Sequence, residues 1–304
     1  MSQKVIIWGH KLHTHTHSYI HSSYYKAFKY MGFDTYWFDD SDIQSGSLNN
    51  FDFENCIFFT EDQRQANIPL VKSAKYILHH TNLEKYNANG LTYINLGNYS
   101  KWCEDGISAN HKENTVEKIG DCAFWDAKSK TLYQPWATDL LPSEIDIDNI
   151  SLYDPNKDTI YYTGTIHDNS DKIMQFMKVS NQDNKKFELK TSVSDEDNYK
   201  YTKESYISFD LRSDWHLEYG YVPCRVFKNI SYGKWVGTNS ETVYKIFGDF
   251  VTYEPNINNL YTKIVQDYKN MDIKKMREAM TFVKDKHTFV NRINNLLKLL
   301  NYNG

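Results

Sequence analysis

The sequence predicts two α/β domains in tandem, each a doubly wound Rossmann-like sheet facing a central cleft. Two observations predict this. Short apolar runs alternate with amphipathic stretches, the mark of βαβ units and a parallel sheet. That alternation breaks across TLYQPWATDLLPSEIDIDN (131–149), which holds two prolines and little periodicity, and then restarts.

The elements follow in order. KVIIWGH (4–10) reads as a buried strand. SYIHSSYYKAFKYM (18–31) reads as a helix, with Ile20, Tyr24, Ala27, Phe28 and Met31 at helical spacing and Gly32 ending it. DTYWFD (34–39), CIFFT (56–60), KYILHH (75–80) and LTYINL (91–96) read as further strands, followed by a quieter region. Past the break, DTIYYTG (158–164), KFELKT (186–191), YISFDLR (206–212), KWVGT (234–238) and DFVTY (249–253) read as strands. DKIMQFMKVS (171–180), VPCRVFKNISYG (222–233) and ETVYKIF (241–247) read as the helices between them. Pro223 falls in the first turn of its helix and Gly233 at its end. The tail is helical, with Phe289, Ile293, Leu296, Leu297 and Leu300 on one apolar face. Domain limits of 1–138 and 139–287 follow, leaving 288–304 as a final helix.

Composition narrows the function classes. The 304 residues are 40% hydrophobic and 24% charged, with a net charge of -4, as in an ordinary soluble protein. No basic block is long enough to track a nucleic-acid backbone, so no nucleic-acid ligand is expected. No stretch is long and apolar enough to span a membrane, and the N-terminal apolar run is too short for a signal-peptide core. Cys56, Cys103, Cys122 and Cys224 form no CxxC pair, which fits reduced thiols in a cytoplasmic protein. The 24 tyrosines reflect either a compositional bias or surfaces for sugar and base stacking.

In open parallel sheets, ligands bind beyond the carboxyl ends of the strands. The loop after the first strand, HKLHTHTH (10–17), is therefore the first place to look. His17 and His21, four apart on the helix, have the spacing to hold an ion. No acidic ligand lies at a diagnostic spacing nearby, however, so no metal is expected. A histidine at the cleft mouth can take a proton from a hydroxyl near neutral pH, which makes His17 and His15 the candidate catalytic bases. The plainer alternative is helix capping and solvation. His79 and His80 close the fourth strand and point to substrate contact or packing equally.

The second domain offers a candidate diphosphate seat. Arg225 and Lys228, three apart, share a helix face near an N-terminus whose free N–H groups and positive dipole end suit phosphate. Thr163, Gly164 and Thr165, after the domain's first strand, supply backbone N–H groups. Tyr232, Thr238 and Asn239 complete the candidate donor site.

These residues resemble a family. The N-terminal strand with its polar loop and helix, the linker QPWATDLLP and the element VPCRVFKNISYGKWVGTN are similar to GT-B glycosyltransferases of the single-chain type found in bacteria, phages and large viruses. The order of elements matches over nearly the whole chain, but the specific likeness covers only the short segments quoted. The resemblance implies a donor nucleoside-diphosphate sugar on the second domain and a glycan or other hydroxyl-bearing acceptor on the first. It also implies a last helix that returns to the first domain and chemistry without a metal or other cofactor. Many retaining members carry two glutamates at a fixed spacing; the matching positions here hold Gly220 and Lys228, with Glu218 out of register. The stereochemistry is therefore not carried over. A non-catalytic nucleotide-sugar or glycan-binding module on the same scaffold is the alternative, and a metal-dependent hydrolase built on the histidines a third.

Overall fold

The computed structural model describes residues 3–15, 17–61, 66–79, 81–98, 116–166 and 170–301. Among these, residues up to 98, 116–134 and 289–301 form one compact unit, and 135–288 form a second.

The first unit is mixed α/β. Its elements run β1 (Lys4–Trp8), α1 (Ser18–Tyr30), β2 (Asp34–Phe38), α2 (Asp40–Gln44), β3 (Ile57–Thr60), β4 (Lys75–Leu78), α3 (Leu83–Ala88) and β5 (Thr92–Gly97). A second group follows: β6 (Val116–Gly120), β7 (Ala123–Asp126) and β8 (Thr131–Tyr133). They make one eight-stranded sheet in the order β2-β1-β3-β4-β5-β8-β7-β6. Pairing is parallel from β2 to β8 and antiparallel at β8-β7-β6. Both faces of the central strands are covered, which is why β1, β3 and β4 read as unbroken apolar runs. On one face Ile6, Trp8, Phe58, Tyr76 and Tyr86 join a buried aromatic cluster. On the other, Tyr24 of α1 stacks on Phe59 with ring centroids 3.9 Å apart.

The second unit holds β9 (Thr159–Thr163), α4 (Ser170–Gln182), β10 (Lys186–Lys190), α5 (Asp195–Glu204), β11 (Ser208–Asp210), α6 (Asp214–Tyr219) and α7 (Cys224–Ser231). It continues with β12 (Val236–Thr238), α8 (Glu241–Phe247), β13 (Thr252–Tyr253), α9 (Ile257–Lys269) and α10 (Ile273–Lys286). β10 pairs β9, and β11-β12-β13 form a second ladder, all parallel. The Tyr206 N–H donates to Thr159 O at 2.8 Å and joins β9 to the segment entering β11. Phe176, Tyr162 and Phe209 fill the core between α4 and the strands. A Cβ at Gly237 would collide with Ile264, so α9 rests directly on β12.

Helix α11 (Phe289–Leu299) belongs to the first unit. Its Phe289 packs edge-on against Tyr24 at 4.8 Å, and Lys75 Nζ donates to Leu300 O at 2.6 Å.

Several expectations are corrected. The break between units falls after Gln134, not after residue 138. Thr138 bridges in parallel to Thr288, and its N–H donates to His287 O, so 135–138 are tied to the second unit. The quiet region holds β6 and β7, and Thr131–Tyr133, read as the start of the linker, is the third strand of their meander. DFVTY (249–253) splits into a short 3-10 turn, Gly248–Phe250, and β13. Pro223 is the cap residue before α7, not a member of its first turn.

Three lysines lie close together in the second unit. Burial lowers Lys234 well below the usual lysine range and Lys203 to about 8, with Lys157 also lowered. A lysine whose folded pKa is depressed binds more protons unfolded than folded between the two values, so stability rises with pH across that window. The second unit is expected to gain stability from about pH 8 toward 10, by under about 1.4 kcal/mol per pH unit for each group. Denaturant midpoints at pH 7.5 and 9.5 check this, and Lys203→Met should flatten the slope.

Candidate functional site

The carboxyl ends of β1, β3 and β4 bring His10, His15, His17, His21 and His79 together. Trp8 and Thr60 are register partners in adjacent parallel strands, so the loops that follow them emerge side by side. Glu61 N–H donates to Trp8 O, and His79 N–H donates to Thr60 O. Glu61 is thereby fixed under the histidine loop, although it lies 44 residues from His17 in sequence.

Glu61 is the hub. Its side chain is 1% exposed. His17 Nδ1 stands 3.1 Å from Oε2, His10 Nε2 3.5 Å and His21 Nε2 3.9 Å. Oε1 has no hydrogen-bond partner among the described residues. Burial pushes the Glu61 carboxyl up, but the His17 hydrogen bond and the surrounding imidazoles outweigh it and hold it below its usual range. His15 stacks on His10 with centroids 4.3 Å apart, and its Nδ1 accepts from the His17 N–H at 3.2 Å. His17 caps α1 through its backbone alone, leaving its ring for Glu61 and for contact with His79 at 4.9 Å. His21 is fully buried against Gly9, and burial drives its pKa down to about 3. His13 is exposed, with its Nδ1 3.2 Å from Tyr19 Oη. His80 lies outside the described residues.

Two candidate bases, His15 and His17, thus do sit at one site. No acidic residue stands at a diagnostic spacing in the sequence, but the fold brings one to the site: His10, His15 and Glu61 each offer a ligand atom within 4.8 Å of the others. Sequence spacing misses Glu61 because strand pairing, not chain proximity, delivers it. The signal that does point to it is an acidic residue directly after the CIFFT strand.

The second unit gathers a cationic site at the carboxyl ends of β9, β11 and β12. Arg225 Nη2 donates to Thr163 O at 2.9 Å, Nη1 lies 3.2 Å from Asp210 Oδ1, and the guanidinium covers the Tyr162 ring at 4.1 Å. Gly164, at φ +125°, lets the backbone pass close: a Cβ there would stand 2.6 Å from Arg225 Nη2. Arg212 Nη2 binds the same Asp210 oxygen at 2.7 Å. Asn239 clamps Arg212 in place, accepting from its N–H at 2.8 Å and donating to its carbonyl at 3.0 Å. Thr238 Oγ1 accepts from Ser240 N–H, and Thr165 is exposed.

The paired Arg225–Lys228 seat is corrected, because the two side chains take different partners. Lys228 Nζ lies 2.9 Å from Asp139 and 3.6 Å from Asp195, so its charge is already met. Tyr232 Oη donates to both oxygens of Asp139, at 2.9 and 2.7 Å. Lys228 and Tyr232 therefore tie Asp139 to α7, and the second arginine of the site is Arg212. Asp210, Arg212 and Asp139 are the residues sequence reasoning misses. No family model and no curated protein matches the chain.

Proposed function

We propose that this chain is a cytoplasmic GT-B glycosyltransferase that moves a sugar from a nucleoside-diphosphate sugar to an acceptor hydroxyl. The observation that carries the reading is the Asp210–Arg212–Arg225 cluster at the carboxyl ends of the second unit's strands. Two guanidiniums against one carboxylate leave one positive charge in excess. The Nε atoms of both arginines have no hydrogen-bond partner among the described residues. Strand ends of open sheets are where ligands bind, and arginine forks match phosphate oxygens. In this reading Arg212 and Arg225 neutralise the departing diphosphate with Gly164 beside it, so the leaving group needs no metal. His17, oriented by Glu61, is the base for an inverting transfer.

A thermal-shift screen with UDP, GDP, ADP, CMP and their sugars tests this. A ligand at a hundred times its dissociation constant stabilises by about 2.7 kcal/mol. One nucleotide family is expected to shift the wild type, and Arg225→Ala should lose that shift. Arg225→Lys keeps the charge beside Asp210 and guards against a folding artefact. His17→Gln should lower turnover by about 100- to 10,000-fold with donor binding retained. No shift with any nucleotide in a folded protein would overturn the reading. Binding without turnover would select the non-catalytic nucleotide-sugar or glycan-binding module instead.

A further inference from the structure

We propose that His10, His15 and Glu61 hold one divalent transition-metal ion of the zinc class, at the carboxyl end of the first unit's sheet. This does not depend on the transferase reading, which places donor chemistry on the second unit but shares Glu61 and His17 with this site as its acceptor base.

The donor set is the first support. Two imidazole nitrogens and one carboxylate oxygen lie within 4.8 Å of one another. Two histidines and a glutamate form a known zinc ligand set that leaves a fourth position open. Imidazole favours zinc, copper, nickel and cobalt, whereas magnesium and calcium prefer oxygen alone.

The second support is the electrostatics of Glu61. Its side chain is 1% exposed, and no lysine or arginine pairs with it among the described residues. Imidazoles surround one side of the carboxylate, but its Oε1 accepts no hydrogen bond among the described residues. A divalent ion on this side gives that buried oxygen a partner. His17, at 3.1 Å from Oε2, then becomes the outer partner that orients the ligating carboxylate.

Coordination asks for a small rearrangement. The His10 and His15 rings are stacked, 29° from parallel, and both cannot aim at one ion in that pose. His15 is only partly buried and sits in a bend of the loop, so its ring is the one that turns. Binding through Nδ1 would exchange the hydrogen bond from the His17 N–H for the metal; Nε2 is the other route.

The test is calorimetric titration of zinc into the tag-free, chelator-treated full chain, with cobalt as a spectroscopic probe of the same site. One ion per chain is expected, with excess magnesium unable to displace it. His15→Asn and Glu61→Gln should each weaken zinc by more than about 100-fold, and His17→Gln by about 10- to 100-fold, as for an outer partner. His13→Asn, at an exposed position, should change nothing. If Glu61→Gln does not fold by circular dichroism, His15→Asn decides. Zinc binding in His15→Asn and folded Glu61→Gln equal to wild type, or no wild-type binding above that of magnesium, would overturn the proposal. Nucleotide shifts measured in chelated protein report the second unit separately.

Discussion

Asp139→Ala is expected to destabilise the second unit by about 3–5 kcal/mol, the cost of stripping one partner from a buried ion pair. Asp139 is 6% exposed and receives Lys228 at 2.9 Å and Tyr232 at 2.7 Å. Its removal strands the Lys228 ammonium, whose side chain is 12% exposed, with only the more distant Asp195. Denaturant unfolding followed by a probe in the second unit measures the loss. Replacing both members, as Asp139→Leu with Lys228→Met, should cost less than Asp139→Ala alone, because no charge is left behind. The pair also sets an acid limit. Burial raises the Asp139 carboxyl, but Lys228 and Tyr232 outweigh it and hold it below its ordinary value. A carboxylate with a depressed folded pKa contributes stability above the unfolded value near 3.9 and loses it as pH falls through the folded one. The wild type should therefore lose stability below about pH 4 through this group, and Asp139→Asn should lack that component.

Gly233→Ala should be the second large effect, at about 3 kcal/mol, from left-handed strain plus overpacking. Gly233 sits at φ +75° just beyond α7, and a Cβ there would collide with the carbonyl of Asn149. The obstacle is backbone, and it is pinned, since Ser151 N–H donates to Gly233 O at 2.8 Å. Gly90 is the control. It also has positive φ, +63°, just beyond α3, but nothing stands within 4 Å of an added Cβ. Gly90→Ala should cost only about 1 kcal/mol, the conformational part. Equal melting temperatures for the two variants would refute the collision.

Much of the fold is legible in residue order, and the failures have physical causes. β1, β3 and β4 stand out because strands buried on both faces are apolar without interruption. Helix α5, Asp195–Glu204, escapes notice because its buried residues are Asn198 and Thr202, which carry no apolar period. Its start was still readable: Ser194 accepts from Asp197 N–H ahead of an acidic first turn. Helix α6 announces itself the same way through Ser213, whose hydroxyl accepts from His216 N–H. The β6–β8 meander hides because VEKIG is half exposed and lacks a clean alternation. At the sites, local clusters such as the His13–His21 run and Arg225 are visible in the sequence. Their partners are not, because Glu61, Asp210 and Asp139 arrive through strand pairing or a chain crossing that no spacing rule encodes. Lys228 shows the cost of reading without partners: its helix position suggests a phosphate contact, but Asp139 already satisfies it.

The return of α11 to the first unit has a consequence for how the protein is made. Among the described residues, 135–288 form one continuous insertion, closed at its base by Thr138 and Thr288. A ribosome releases that insertion before it releases Phe289, Ile293 and Leu296, all of which are buried in the finished first unit. During synthesis the second unit can therefore complete itself while the first still lacks the helix whose Phe289 packs on Tyr24. For that interval the apolar surface of α1 stands open, and its protection depends on how quickly the final segment follows.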